Sequence, residues 1–121
     1  MMKYRGIRID NGELVFGNYF HNFRKGESHN IIDYDSNEWY EVEKSSVSLF
    51  FGKKDKNGKE IYTNDKVKYK GKEYEVRYFE EYGVFGLYDE KYNRALGRSG
   101  SSTRYEPYFM NDYHTRQMEV L

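Results

Sequence analysis

The chain contains no cysteine in its 121 residues. That excludes disulfides and thiolate metal sites, and it fits a reducing compartment. Proline and alanine occur once each. With alanine nearly absent, the strongest helix former is missing, and long helices are not expected. No apolar run approaches the length that crosses a membrane. The charged start at Lys3 and Arg5 is not followed by the apolar stretch of a signal peptide. Net charge is also lacking, because 20 basic residues face 20 acidic ones. The expectation is a soluble cytoplasmic protein with no membrane partner.

What is present points to strands. Tyrosine supplies 14 residues and phenylalanine 8, and aromatic residues favour strands. Tyrosine can also take over core duty with its hydroxyl at the boundary. Eleven glycines suit tight turns more than helices. The length predicts one domain, large enough to bury a core without staples.

The pattern along the chain is that of hairpins. Residues 4–9 and 14–20 flank Asn11-Gly12, a tight-turn dipeptide. The polar, glycine-bearing stretch from His21 to His29 reads as a loop. Residues 30–34 and 39–42 are short strands around the turn cluster Asp35-Ser36-Asn37. Residues 47–51 lead into Asn57-Gly58, read as a two-residue turn with both residues at positive φ. Asn64 marks a further break, where a left-handed residue is tolerated. Val67, Tyr69, Tyr74, Val76 and Tyr78 then alternate with charged residues, as a half-buried meander requires. Residues 91–104 are small, polar and basic, and they read as a flexible loop. A single turn of helix is expected within 107–113, and a last strand over 117–121.

Charge is segregated along the chain. Residues 27–43 hold six acids and no lysine or arginine, whereas residues 53–72 hold eight lysines. The lysines Lys53, Lys54, Lys56, Lys59, Lys66, Lys68 and Lys70 are the candidate macromolecule-binding residues. A basic strand face beside aromatics is how small barrels hold single-stranded nucleic acid. The same lysines would equally blunt a strand edge against aggregation. Trp39-Tyr40 is an aromatic pair of the kind found at interfaces, and its bland reading is a core tryptophan beside a boundary tyrosine. Opposite-charge segments also leave self-association open. His21 and His29, with Asp33 and Asp35 behind them, are conceivable metal ligands, yet their spacing matches no metal motif and no metal or cofactor is expected. No Gly-x-Ser-x-Gly elbow, phosphate loop or dinucleotide fingerprint occurs, so no catalytic residue is assigned.

Several short words, in order, carry a resemblance. They are Tyr4-Arg5-Gly6, then Ile9-Asp10-Asn11-Gly12-Glu13 with Val15-Phe16-Gly17, then Asp55-Lys56-Asn57-Gly58-Lys59-Glu60-Ile61-Tyr62 with Asp65 and Val67. Together with Phe85-Gly86-Leu87 and the aromatic stretch 108–113, this resembles the YopX family of phage and prophage proteins. The central word is the specific one. Asn64 replaces the glycine that members usually carry. Ser46-Val47-Ser48-Leu49-Phe50-Phe51 loses a threonine, and the acidic-Leu-Leu close of many members does not follow Leu121. The resemblance implies a bacterial host cell and a mainly β fold, and it implies no catalytic residue.

The reading is a single YopX-like domain, 1–121, mainly β and antiparallel. Residues 1–45 form an N-terminal β-hairpin region. Residues 46–121 form an SH3-like small barrel containing the 91–104 loop. The expected function is a non-enzymatic accessory protein that binds a host or phage protein. The alternative is nucleic-acid binding through the lysine face, and a metal-dependent enzyme stands third.

Overall fold

A computed structural model of the chain describes residues 2–24, 26–99, 105–107 and 110–121. The protein is mainly β, with antiparallel pairing throughout and, among the described residues, one short α-helix and one 3-10 turn, Lys44–Ser46. The chain divides into two compact units, Met1–Phe50 and Phe51–Leu121, where the sequence suggested a division at 45.

In the first unit, β1 (Tyr4–Ile7), β2 (Leu14–Asn22), β3 (Ser28–Asp33), β4 (Trp39–Glu41) and the start of β5 (Ser48–Lys54) pair in the order β4-β3-β2-β1-β5. The register sets Gly6 opposite Val15, Tyr19 opposite Ile31 and Ile31 opposite Tyr40. Residues directly opposite share a face, so these collect on one side of the sheet. There Val15, Ile31 and Val42 are buried, with Tyr4, Tyr19, Tyr40 and Val47 packed around them. Gly17 is required by space, since a Cβ there would lie 1.8 Å from the Ile32 carbonyl oxygen.

Two expectations change in this unit. His21 and His29 belong to strands, because β2 runs on to Asn22 and β3 starts at Ser28 with Asn22 opposite Ser28. Backbone pairing continues there although the side chains have turned polar. Trp39 is 56% exposed, while Tyr40 packs on the core. Strand parity decides this, since only one member of an adjacent pair can face inward.

In the second unit, the β5–β6 hairpin (β6, Glu60–Tyr62) precedes a five-stranded sheet. That sheet contains β7 (Lys66–Tyr69), β8 (Lys72–Phe79), β9 (Val84–Asp89), β10 (Arg94–Ala95) and β13 (Met118–Val120), in the order β10-β9-β8-β7-β13. A two-stranded ladder joins β11 (Gly97–Ser99) to β12 (Tyr105–Pro107), and α1 spans Asp112–Thr115. The core holds Ile61, Val67, Tyr69, Tyr74, Val76, Leu87, Met110 and Met118. No closed barrel is found among the described residues; β10 and β13 end the sheet. Where a flexible loop was expected over 91–104, β10 and β11 form by pairing with β9 and β12, and Gly100–Arg104 lie outside the described residues. The helical turn sits later than expected, after Asn111, whose side chain accepts from the Tyr113 and His114 N–H groups.

The turns also differ from expectation. At Asn57-Gly58 only Gly58 has positive φ, +80°. Asp55 closes the turn from both sides of its backbone, donating to the Lys59 carbonyl at 2.8 Å and accepting from Gly58 at 3.1 Å. This is the longer hairpin loop, in which glycine takes the left-handed position after an ordinary turn. Asn11-Gly12 likewise places only Gly12 at positive φ, with the Asn11 side chain accepting from Glu13 N–H at 2.9 Å. The tight two-residue turn occurs at Lys70-Gly71, with φ of 50° and 79° and Tyr69 opposite Lys72. Asn64, at φ 72°, adopts the left-handed conformation expected of it.

Candidate functional site

The seven lysines of the sequence reading all lie in the second unit, and several are matched by acids of that same unit. Lys53 donates to the Asp112 carboxylate at 2.8 Å, and this hydrogen bond holds the Asp112 carboxyl below the usual range. Lys56 lies 3.6 Å from Glu119. Lys66 bonds both Glu75 and Glu90, and the hydrogen bond to Glu90 raises the lysine's pKa. Lys68 stands opposite Glu73 on β8 and Glu119 on β13. Lys54 and Lys59 are exposed beside the β5–β6 turn. Lys70 occupies the tight turn with its ammonium 5.3 Å from the Tyr69 ring centre. The lysines therefore do not form an unbroken basic stripe. They alternate with carboxylates across the outward side of the sheet. A depression of about 760 Å³ beside them is equally mixed, with Lys66, Lys72 and Lys91 against Glu73, Asp89 and Glu90.

The central word, Asp55 to Tyr62 with Asp65, acts as scaffold. Asp55 is buried, and its Oδ1 accepts from the Asn57 and Lys59 N–H groups at 2.8 Å each. Its Oδ2 accepts from Val120 N–H at 2.9 Å. Burial pushes the Asp55 pKa up, but hydrogen bonds from Val120, Lys59 and Asn57 outweigh it and hold the group below its ordinary value. Asp65, also buried, accepts from Tyr62 N–H at 2.9 Å. These carboxylates are spent on backbone groups.

Sequence reasoning missed the side of the first unit's sheet that faces away from its core. The register sets Ile7 opposite Leu14, Phe20 opposite Asn30 and Ile32 opposite Trp39. Ile7, Leu14, Phe16, Phe20 and Trp39 are all exposed on this side, and the Phe20 and Trp39 rings meet edge to face at 5.1 Å. The sign was available in the sequence. Leu14-Val15-Phe16 is apolar on both parities, which a strand with one solvated face does not need.

No match was found among curated proteins. None of the described helices is long and apolar enough to cross a membrane. The family model described as YopX protein matches residues 3–121, nearly the whole chain, and the chain therefore belongs to the YopX family.

Proposed function

We propose that this protein is a non-enzymatic accessory protein of a phage or prophage, acting in the bacterial cytoplasm by binding a host or phage protein. One observation carries the reading: the apolar outer side of the first unit's sheet, with Phe20 and Trp39 at its centre of aromatic density. Contiguous exposed apolar surface of this kind marks interaction sites, and tryptophan is enriched among residues that dominate binding. The expected partner presents an apolar surface with charges at its margin, because Arg5 and Glu41 share this side with the apolar residues. The non-enzymatic part rests on the sequence, which has no cysteine and none of the nucleophile or phosphate-loop motifs. The SH3-like barrel is the finer description of 46–121, supported by the β7–β8–β9 meander.

The test places a photo-crosslinking residue at position 14 in infected cells, identifies the adduct and measures binding to the purified partner. Phe20→Ser with Trp39→Ser should weaken that binding at least about tenfold. Unchanged affinity would overturn the reading, as would a stable dimer of the purified chain that this double variant dissolves.

Nucleic-acid binding is the alternative, supported by the exposure of Lys54, Lys59 and Lys68. The carboxylates opposite Lys66 and Lys68 count against it. A titration with single- and double-stranded nucleic acid across salt concentrations decides, because phosphate contacts lose affinity steeply with salt. No binding at low salt sinks this branch. A metal-dependent enzyme, the third reading, would first require a metal.

A further inference from the structure

His21 and His29 are direct cross-strand partners at the loop end of the β2–β3 hairpin. Their rings stack at 4.2 Å between centres, tilted by 21°. Glu27, one residue before β3, lies against both. Glu27 Oε1 lies 2.5 Å from His21 Nε2 and 3.7 Å from His29 Nε2. One ligand atom from each of the three residues falls within 4.8 Å of the other two. Asp33, which the sequence reading grouped with this histidine pair, is instead engaged with the Asp35 and Ser36 N–H groups.

We infer that His21, His29 and Glu27 form a site for one divalent transition-metal ion of the zinc class, tying Glu27 to the ends of β2 and β3. Two imidazoles and one carboxylate suit zinc and its borderline neighbours, and leave a fourth position for water. Ligand atoms around tetrahedral zinc stand about 3.3 Å apart, so the three groups are near enough, and binding turns the two rings out of their stack to aim both lone pairs at one ion. Tyr19 supplies the supporting contact that histidine ligands usually need. Its hydroxyl lies 2.5 Å from His29 Nδ1, and its ring is parallel to the imidazole within 2°. With Nδ1–H donating to the Tyr19 oxygen, Nε2 of His29 keeps its lone pair for the ion. In the metal-free chain the His21–Glu27 hydrogen bond occupies the same atoms.

This inference does not depend on the proposed partner binding, because the histidines lie on the side of the sheet opposite Phe20 and Trp39. The test uses the full chain without a histidine tag, stripped by chelation and titrated with Zn²⁺, then Co²⁺, then Mg²⁺. One equivalent of zinc should bind, cobalt should give the visible bands of a low-coordinate site, and magnesium should not bind. His21→Ala and Glu27→Gln should each weaken zinc at least about tenfold, Tyr19→Phe by less, and His114→Ala not at all. Removing zinc should lower the melting temperature of the wild type and leave that of His21→Ala unmoved. Zinc affinity unchanged in His21→Ala, or a wild type that binds no zinc, overturns the site. His29 is buried, so His29→Ala is not used to decide; the more exposed His21 and Glu27 are.

Discussion

The two units are built alike and finished differently. Each is an antiparallel sheet with one side turned to a core. In the second unit the other side is a lattice of opposite charges: Lys66 against Glu75, Lys68 against Glu73 and Glu119, and Arg77 laid 3.5 Å over the Tyr88 ring. In the first unit the other side is apolar, carrying Ile7, Leu14, Phe16, Phe20 and Trp39. The cores run the opposite way. Among the described residues, the buried core cluster of the second has eight members and that of the first has three. The first unit thus leaves outside much of the apolar surface that its partner in sequence keeps inside. A sheet with a small core and exposed apolar residues on its other side has apolar area left to bury.

Mutations can break or sharpen that contrast. The largest effect is expected from Ile31→Ala, which empties the centre of the smaller core and should cost about 3–5 kcal/mol in a urea titration. Asp55→Ala should follow at about 2–3 kcal/mol, since it strands the Asn57, Lys59 and Val120 N–H groups inside the second unit. The same residue sets a pH dependence. Its folded pKa is depressed, so its contribution is present above the unfolded carboxyl pKa of about 4 and is lost as pH falls through the folded value. Asp55→Asn should flatten the acid limb of stability against pH.

Hydrogen exchange at neutral pH compares the units directly. Amides of β2 and β3 should exchange sooner than those of β7 and β8, as the smaller core implies; equal protection would erase the contrast. Phe20→Ser with Trp39→Ser should change stability by no more than about 1.5 kcal/mol, the worth of an exposed aromatic pair, while abolishing partner capture. Smallest of all, Lys68→Ala should move stability by less than about 1 kcal/mol, with a difference that shrinks as salt rises.

The meander of the second unit was legible residue by residue. Val67, Tyr69, Tyr74 and Val76 alternate with charge, and all four are buried. Tyr78 breaks the pattern because β8 has reached its exposed end, where the ring packs edge to face on Phe85 instead. Turn positions were legible and turn types were not. Asn57-Gly58 satisfies a two-residue rule in letters, but the carboxylate of Asp55, two positions earlier, imposes a longer loop. Lys70-Gly71 contains no asparagine, yet the strands on either side leave it only two residues. The histidine site was hidden for a different reason. Its spacing of eight reflects a hairpin, in which sequence distance says nothing until the register is known.

The hydrogen bond from Val120 to Asp55 spans 65 positions, and Lys56 N–H donates to the Met118 carbonyl beside it. A ribosome making this chain therefore releases the two units on different schedules. Everything the first sheet pairs with has been synthesised by residue 50. The β7 edge and the buried Asp55 must wait for β13, Met118–Val120. During that interval Asp55 has no Val120 N–H to bond and Met118 has not yet filled the core, so the second unit is the later and more vulnerable to assemble.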